Sequence, residues 1–296
     1  MKPASFAYEA PDSLPAALDL LARFGDEAKI LAGGQSLIPV LNFRLSQPAR
    51  LIDLNRIDGL SYIRRGADGG LSVGAMTRQR AVERSTLVAE VAPLLAEAVP
   101  WIAHPQIRNR GTVGGSLAHA DPAAELPALA VALDARFRLA KNGGDRWVAA
   151  RDFYTGLFAT LMEPDELLVE IAIPPAPPRT GFAFMEVARR HGDYAQVGLA
   201  SSVTLEADGR CRAARLVYLS VGDRPIEARA AGAVLAGQSL SPEAIAACAA
   251  AVNSEINPFS DVHASAEFKR HLAEVLARRA VALAAQRAGQ SVGTIA

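Results

Sequence analysis

The chain has 296 residues, half of them hydrophobic, which is enough to bury a large core and to form two domains. Lys plus Arg equals Asp plus Glu at 31 each, so the formal net charge is zero, and this balance disfavours a nucleic-acid-binding protein. The two cysteines, Cys211 and Cys248, are far apart in the sequence, so neither a four-thiolate iron–sulfur cluster nor a disulfide framework is expected within this chain.

The sequence shows no sign of a leader, a membrane span or a hydrolytic centre. The N-terminal stretch lacks the continuous apolar region of a secretory signal, and no segment approaches the roughly 20 apolar residues of a membrane helix. We therefore expect a cytoplasmic protein. The five histidines have no metal-ligand spacing, so no metal site and no catalytic side chain are predicted; they are His104, His119, His191, His263 and His271.

The first 55 residues predict a β-α-β-like unit. Two short apolar runs predict strands, and apolar residues at helical spacing precede the first of them. Asp12 or Ser13 would cap the opening helix, and Gly25 would end it. The predicted elements are a helix over 12–25, a strand over 28–32, a helix that begins at Ser36, and a strand over 49–54.

The middle of the chain predicts a second subdomain of strands and helices. A strand over 71–77 is followed by a helical stretch over 78–99 that Pro93 interrupts. The segment 104–135 is expected to be a glycine-rich loop in its first half and a helix in its second. That helix would begin near Asp121 or Glu125, since Pro122 and Pro127 are both plausible first-turn prolines.

The proline-rich segment "PPAPPR", residues 174–179, predicts a stiff, extended connection between two domains. We expect a domain over 1–175, with subdomains over about 1–55 and 56–175, and a C-terminal domain over 180–296. Three predicted strands follow the connection, and Asp208-Gly209 would form the hairpin turn between the last two. Helices are predicted from Ser241 and over 265–286, the second with an apolar stripe and a stop at Gly289; the stripe consists of Phe268, Leu272, Val275, Leu276 and Leu283.

The stretch "LAGGQSLIPV", residues 31–40, places Gly33-Gly34 between a predicted strand and a predicted helix. Adjacent glycines lose much backbone entropy on folding, so a tight turn or a close approach to the backbone must require them. Successive N–H groups in such a loop can form a nest that binds an anion, and Ser36 could cap the helix that follows. Taken alone, the pattern favours a simple turn with a serine cap over an anion site.

A second glycine pair, Gly114-Gly115, strengthens the interpretation as an anion site. Thr112 and Ser116 flank it and could donate hydrogen bonds to phosphate oxygens, while Arg108 and Arg110 could supply positive potential. Two such loops could hold a diphosphate from two sides. The pattern therefore indicates a dinucleotide bound in extended form, without the G-x-G-x-x-G fingerprint of a Rossmann site.

Four segments in this order carry a family resemblance over the whole chain: "LAGGQSLIPVLNFRL", "IRNRGTVGGSLAHADPAAELPAL", "FYTGLFATLMEPDELLVEIAIP" and "FMEVARRHGDYAQVGLA". Together they resemble the FAD-binding medium subunit of molybdenum hydroxylases, the family of the carbon monoxide dehydrogenase medium subunit and the xanthine dehydrogenase FAD domain. The resemblance implies an α+β fold: a two-subdomain FAD-binding domain of the vanillyl-alcohol-oxidase (PCMH) type, followed by an antiparallel sheet with helices.

The resemblance also implies a role in electron transfer. In the family, a molybdopterin large subunit oxidises the substrate and a small subunit with two [2Fe–2S] clusters relays electrons to FAD, which passes them to an external acceptor. A dimer of such heterotrimers is implied, with molybdopterin and the iron–sulfur clusters held only by the partner subunits. The absence of cysteine clusters here fits that division.

Residue by residue, the resemblance assigns cofactor contacts to both glycine loops and to three further positions. Glu125 matches a carboxylate near the adenosine side, Leu168 an apolar residue near the flavin, and Tyr194 an aromatic residue near the isoalloxazine. Gln35 stands where the carbon monoxide dehydrogenase branch favours His, which weighs against carbon monoxide as the substrate. The loop residues are Ala32, Gly33, Gly34, Gln35 and Ser36, and Thr112, Val113, Gly114, Gly115 and Ser116.

Two other functions remain open at this point. One is a free-standing FAD-dependent oxidoreductase of the same fold. The other is a nucleotide-binding regulatory protein that uses the two loops without redox chemistry.

Overall fold

The first of three main sheets lies in the N-terminal part of the computed structural model, which describes residues 2–289. The sheet has three parallel strands in the order β1-β3-β2. As predicted, a helix precedes β2 and another joins β2 to β3, which forms a β-α-β unit. The elements are β1 Ala7–Glu9, α1 Leu14–Phe24, β2 Ala28–Leu31, α2 Leu37–Asn42 and β3 Arg50–Asp53.

The second sheet has five antiparallel strands in the order β4-β5-β10-β6-β7. Its central strand β10 is buried along most of its length and packs on helices from the same subdomain. The strands are β4 Ile63–Arg65, β5 Leu71–Gly74, β6 Arg136–Lys141, β7 Gly144–Ala149 and β10 Leu167–Ile173, and β8 Tyr154–Gly156 pairs with β9 Ala159–Thr160 in a separate hairpin.

The helices of this subdomain are short, because prolines and serine or threonine caps restart the chain repeatedly. The predicted break at Pro93 is confirmed, and a second break precedes it at Ser85, whose hydroxyl accepts from the N–H of Val88. The helices are α3 Gln79–Glu83, α4 Thr86–Val91, α5 Pro93–Ala98, α6 Pro105–Arg110, α7 Val113–His119, α8 Glu125–Ala132 and α9 Ala150–Phe153.

The prediction of a loop over the first half of 104–135 is wrong. Two helices, α6 and α7, occupy it, and the glycine pair Gly114-Gly115 lies in the first turn of α7. Thr112 caps this helix, since its Oγ1 accepts from the N–H of Gly115 at 3.1 Å. The cap offsets the low helix propensity of glycine. Helix α8 begins at Glu125, one of the two predicted starts.

The third sheet is antiparallel in the order β11-β12-β13-β14 and follows an exposed connection over residues 174–179. The hairpin turn predicted at Asp208-Gly209 is confirmed, with Gly209 at a φ of +87°. The elements are β11 Thr180–Val187, β12 Val197–Leu205, β13 Cys211–Leu219, β14 Ile226–Glu227, α10 Arg229–Val234, α11 Pro242–Ala251 and α12 Ala266–Arg287.

Helix α12 packs on this sheet with a face that matches the predicted stripe only in part, since Leu272 and Leu283 pack against the core without being fully buried. Phe268 is 45% exposed, and of the predicted stripe Leu276 alone is fully buried. The buried face is made mainly of small residues, which let the helix backbone approach the strands closely. It consists of Ala273, Ala277, Ala280, Val281, Ala284 and Ala285.

The opposite face of the third sheet packs against the second subdomain. Phe184, Ala200 and Val217 belong to the same buried cluster as residues of α8 and the five-stranded sheet. The two parts of the chain therefore share a hydrophobic core, in which this face of β11 packs against α5 while α8 packs against β12 and β13.

Replacement of Gly181 by Ala tests the close approach of α12. A Cβ at Gly181 would overlap the carbonyl oxygen of Ala284 and lie 2.5 Å from the backbone N of Ala288. We expect a loss of about 1–3 kcal/mol in the free energy of unfolding, measured by urea denaturation. The control Gly144→Ala adds a Cβ that meets nothing within 4 Å. Equal stability of the two variants would contradict the packing described here.

Candidate functional site

The loop between β2 and α2 presents a row of unpaired backbone donors. The N–H groups of residues 33–37 make no hydrogen bond to any residue in the described range 2–289. The next N–H group along the chain, that of Ile38, donates to the carbonyl of Gly34 at 3.1 Å and so begins the backbone hydrogen bonding of the helix. Gly34 has a φ of +74°, the left-handed backbone conformation that one residue of an anion-binding nest adopts. Ser36 occupies the cap position without a side-chain capping bond, so the predicted serine cap is wrong.

Gly33 is required by a contact between two segments of backbone. A Cβ at this position would overlap the carbonyl oxygen of Arg110 and lie 2.8 Å from the Cα of Gly111. The side chain of Gln35 donates from Nε2 to the carbonyl of Gly33 at 3.1 Å and stabilises the turn. The loop after β2 is thus held against the junction of α6 and α7.

The second glycine pair serves mainly to pack α7 against β5 and the residues that follow it. The N–H of Val113 donates to the carbonyl of Thr77 at 3.0 Å, and the N–H of Gly114 donates to the carbonyl of Ala75 at 2.8 Å. A Cβ at Gly114 would lie 2.8 Å from that same oxygen. With the N–H of Gly115 bound to Thr112, the backbone donors over 113–115 are all used within the protein.

The two loops nevertheless lie side by side, as predicted. A Cβ on Gly115 would be 3.3 Å from the Cβ of Ala32. The hydroxyl groups of Thr112 and Ser116 are what the second loop can still offer to a ligand. Thr112 is buried at 2% exposure, whereas Ser116 is half-buried.

A pocket of about 470 Å³ opens directly over the first loop. Ile38, Pro39 and Ile107 form its apolar wall, and Arg110 stands at its edge. The predicted residues that line it are Ala32, Gly33, Gly34 and Gln35. Neither Ser36 nor the second loop, Thr112 to Ser116, is among its lining residues.

The polar wall of this pocket consists of Asp53 and Asn55. The hydroxyl of Tyr8 donates to Asp53 at 2.6 Å, and the N–H of Asn55 donates to it at 2.9 Å. Burial alone would raise the pKa of Asp53, but these hydrogen bonds and the charge of Arg110 hold the pKa below its ordinary value. Asn55 also donates from Nδ2 to the carbonyl of Ala32 at 2.9 Å, which fixes the end of β2.

Glu125 and Tyr194 form a second group with Asp121, outside that pocket. Tyr194 is 68% exposed, yet partial desolvation of its hydroxyl, followed by the charges of Asp121 and Glu125, raises its pKa. The structure therefore brings together two residues that the resemblance assigns to opposite ends of an extended FAD. Leu168 lies apart from both groups, buried at 3% exposure within the core.

Glu186 is a residue that the sequence did not reveal. It lies on β11, on the same face as Phe184, and both of its carboxyl oxygens are buried without a hydrogen-bond partner among residues 2–289. Burial, and then the charge of Glu125, raise the pKa of Glu186 to about 8. Burial in turn raises the pKa of Glu125 to about 7. The sequence signal that could have revealed Glu186 is its position two residues after Phe184 on an alternating strand, which places both side chains on the same face.

Comparisons with known proteins agree on one family. Residues 4–176 match the FAD binding domain in molybdopterin dehydrogenase, and residues 182–284 match the CO dehydrogenase flavoprotein C-terminal domain. The chain belongs to the family of FAD-binding medium subunits of molybdenum hydroxylases. It is a subunit of an oxidoreductase, and FAD is its cofactor.

Individual relatives match over almost their whole length. The chain is 46% identical to the 6-hydroxypseudooxynicotine dehydrogenase complex subunit alpha of Paenarthrobacter nicotinovorans, over 97% of both chains. It is 40% identical to the carbon monoxide dehydrogenase medium chain of Afipia carboxidovorans, over 97% of this chain and 99% of the relative. A solved carbon monoxide dehydrogenase from Hydrogenophaga pseudoflava superimposes with a TM-score of 0.94 at 39% identity, covering 97% of this chain and 99% of that one.

The residues of the first loop suit the diphosphate of FAD. A diphosphate is an anion with many acceptor oxygens, and the loop offers five successive N–H donors without acceptors in the described part of the chain.

The described residues contain no group of three or more metal-binding side chains, and no helix among them is long and apolar enough to cross a membrane.

The buried carboxyl of Glu186 predicts a pH-dependent stability. Its pKa is about 8 in the folded protein and ordinarily 4.5, so the folded state binds more protons between these values. The free energy of unfolding should therefore fall as pH rises from about 4.5 to about 8. Glu186→Gln should flatten this fall, measured by urea denaturation at several pH values, while Glu206→Gln at an exposed site should not. Identical slopes in wild type and Glu186→Gln would contradict the placement of this carboxyl.

Proposed function

We propose that this chain is the FAD-binding electron-transfer subunit of a heterotrimeric molybdenum hydroxylase. In this proposal a molybdopterin large subunit oxidises the substrate and passes the electrons to a small subunit with two [2Fe–2S] clusters. The FAD of this chain accepts the electrons from the small subunit and passes them to an external acceptor. The observation that carries the proposal is the row of unpaired N–H groups over 33–37 beside a pocket of about 470 Å³. The names of the relatives, a complex subunit alpha and medium chains, support an assembly of several subunits.

The first loop would hold the diphosphate by its backbone, and the second would add two side-chain donors. Ala32 to Ser36 would surround the phosphates, and the hydroxyls of Thr112 and Ser116 would reach them from the adjacent turn. The apolar wall beside the nest suits the adenosine, which would then occupy the pocket near Ile38 and Ile107. FAD supplies the redox chemistry when bound, so the chain's own residues bind and orient it.

Glu125 and Tyr194 would lie at the isoalloxazine end. Since neither lines the pocket over the first loop, and since they lie together, we assign both to the flavin ring rather than placing Glu125 beside the adenosine. Leu168 would act from the buried strand β10 behind that end. The substrate pocket itself would belong to the molybdopterin subunit.

The wider architecture belongs to the same proposal. We assign the chain to the vanillyl-alcohol-oxidase (PCMH) type of FAD-binding fold, with domains over 1–175 and 180–296. The assembly would be a dimer of heterotrimers in the cytoplasm. The clusters and the molybdenum cofactor would reside in the partner subunits, since this chain has two buried cysteines that are not clustered in sequence.

Gly34→Val tests the nest. Valine is strained at the φ of +74° and crowds Ile38, and its branched side chain would stand where the phosphates approach. We expect loss of FAD retention, measured from the flavin absorbance that remains after gel filtration. Gly143→Val is the matched control, because Gly143 has a φ of +91° in an exposed turn with nothing within 4 Å of an added Cβ. If Gly34→Val folds and retains FAD with wild-type affinity, the nest assignment is wrong.

Reconstitution with FAD separates the proposed function from its alternatives. The purified chain should bind FAD and show a flavin spectrum, and the bound flavin should be reduced when the iron–sulfur and molybdopterin subunits are added with substrate. Failure to bind FAD would contradict the proposal. Turnover of a small substrate by the chain alone would instead support a free-standing oxidoreductase, and nucleotide binding without any flavin reduction would support a regulatory protein.

A further inference from the structure

Two arginines of helix α6 have opposite surroundings. Arg108 is 4% exposed, and its guanidinium donates from Nε to Glu83 at 2.8 Å and from Nη1 to the carbonyls of Ile102 and Ala103. Its donors are used to join α6 to α3 and to the preceding turn. Arg110 is exposed, and its guanidinium makes no hydrogen bond or ion pair with any residue between 2 and 289. The positive charge of Arg110 is therefore available to a ligand.

The backbone of Arg110 is fixed directly beside the nest. Its carbonyl oxygen is the atom that approaches Gly33, and it also accepts from Nη1 of Arg78 at 2.5 Å. Arg78 donates a second bond from Nη2 to Oδ1 of Asn55 at 2.5 Å. Arg110 and Asn55 both line the pocket. Arg78 therefore fixes the backbone from which the Arg110 side chain extends to the pocket.

The local charges favour an anion in this position. Burial, and then the charge of Arg110, lower the pKa of Arg78, whereas the charge of Asp53 raises it. Asp53 is the carboxylate that lines the pocket, but it is engaged by Tyr8 and Asn55 and forms no ion pair with Arg110. The charge of Asp53 acts on both guanidiniums, but one carboxylate leaves the two arginines with a net positive charge, which a diphosphate would neutralise.

We propose that the guanidinium of Arg110 binds the diphosphate of the dinucleotide and that Arg78 acts as its positioning residue. This inference rests on the proposed function and adds a charged side chain to a site otherwise made of backbone N–H groups. Arginine suits the role because its planar fork can donate to two phosphate oxygens at once. The backbone nest fixes where the phosphates lie, and Arg110 neutralises their charge.

Arg110→Gln in the full chain tests the proposal. The change keeps a polar side chain of moderate length and removes the charge. We expect the dissociation constant for FAD, measured by quenching of flavin fluorescence, to rise about tenfold or more at low salt. Affinity in the variant should also depend less on salt between about 50 and 500 mM, since the charge that salt screens is gone. Arg110→Lys should retain part of the affinity, because it restores the charge without the fork.

Arg56→Gln is the matched control. Arg56 is exposed, and its charge acts on Tyr8, the residue that donates to Asp53 in the pocket. Arg56 itself does not line the pocket. Its loss should change FAD affinity by less than about twofold. Equal effects of Arg56→Gln and Arg110→Gln would show a general effect of surface charge and would overturn the proposal.

Competition by ADP locates the effect within the dinucleotide. ADP should displace FAD from the wild-type chain, and Arg110→Gln should lower the affinity for ADP by the same factor as the affinity for FAD. Wild-type affinity for both ligands in a folded Arg110→Gln protein would overturn the role of Arg110 while leaving the FAD function intact. Absence of FAD binding in the wild type would instead overturn the proposed function. Thermal unfolding of the FAD-free proteins checks that each variant is folded.

Discussion

The site depends on the backbone contact between Gly33 and the junction of α6 and α7. Any side chain at Gly33 would overlap the carbonyl of Arg110, so the two segments meet at this distance only with glycine. Arg78 and Asn55 fasten the same point, since Arg78 bridges the Arg110 carbonyl to Asn55 and Asn55 holds the end of β2. The contact joins the first subdomain to the second, and the N–H groups of residues 34–37 that follow it have no acceptor among residues 2–289.

The two glycine pairs look alike in sequence but have different physical roles. In the first loop Gly34 has a positive φ and the donors have no acceptor among residues 2–289, whereas in the second the donors of Val113 and Gly114 are bound to Thr77 and Ala75. The second pair is small because α7 must pack against the backbone at Ala75. Under the proposed function, the backbone affinity for an anion would therefore lie in the first loop, and the second would contribute hydroxyls and the surface against which the first loop packs.

The sequence predicted correctly those secondary-structure elements whose signals are local. Predictions failed where contacts with residues distant in sequence determine the conformation or the packing face. The strands, the break at Pro93 and the hairpin at Asp208-Gly209 follow from alternation, proline and turn chemistry. The helical conformation of 104–120 was missed, because glycines disfavour helix and the compensating acceptors on Thr77 and Ala75 are remote in sequence. The face of α12 was assigned correctly only in part, because its larger apolar residues were weighted over its alanines, which the close approach at Gly181 favours. The adjacency of the two loops was predicted, but which N–H groups stay unpaired depends on tertiary contacts.

Glu186 shows the same limit at the junction of the two halves. On β11 it occupies a position equivalent to Phe184, where the sheet packs on the rest of the protein, and a charged carboxylate there would lack any hydrogen bond within the described residues. An uncompensated buried charge is far more costly than a neutral carboxyl, so the fold favours the protonated form. Glu125 reinforces this preference, because two ionised carboxylates in one buried group would repel each other. Protonation of the pair keeps negative charge low beside Tyr194, because the charges of both carboxyls would otherwise act in the same buried region.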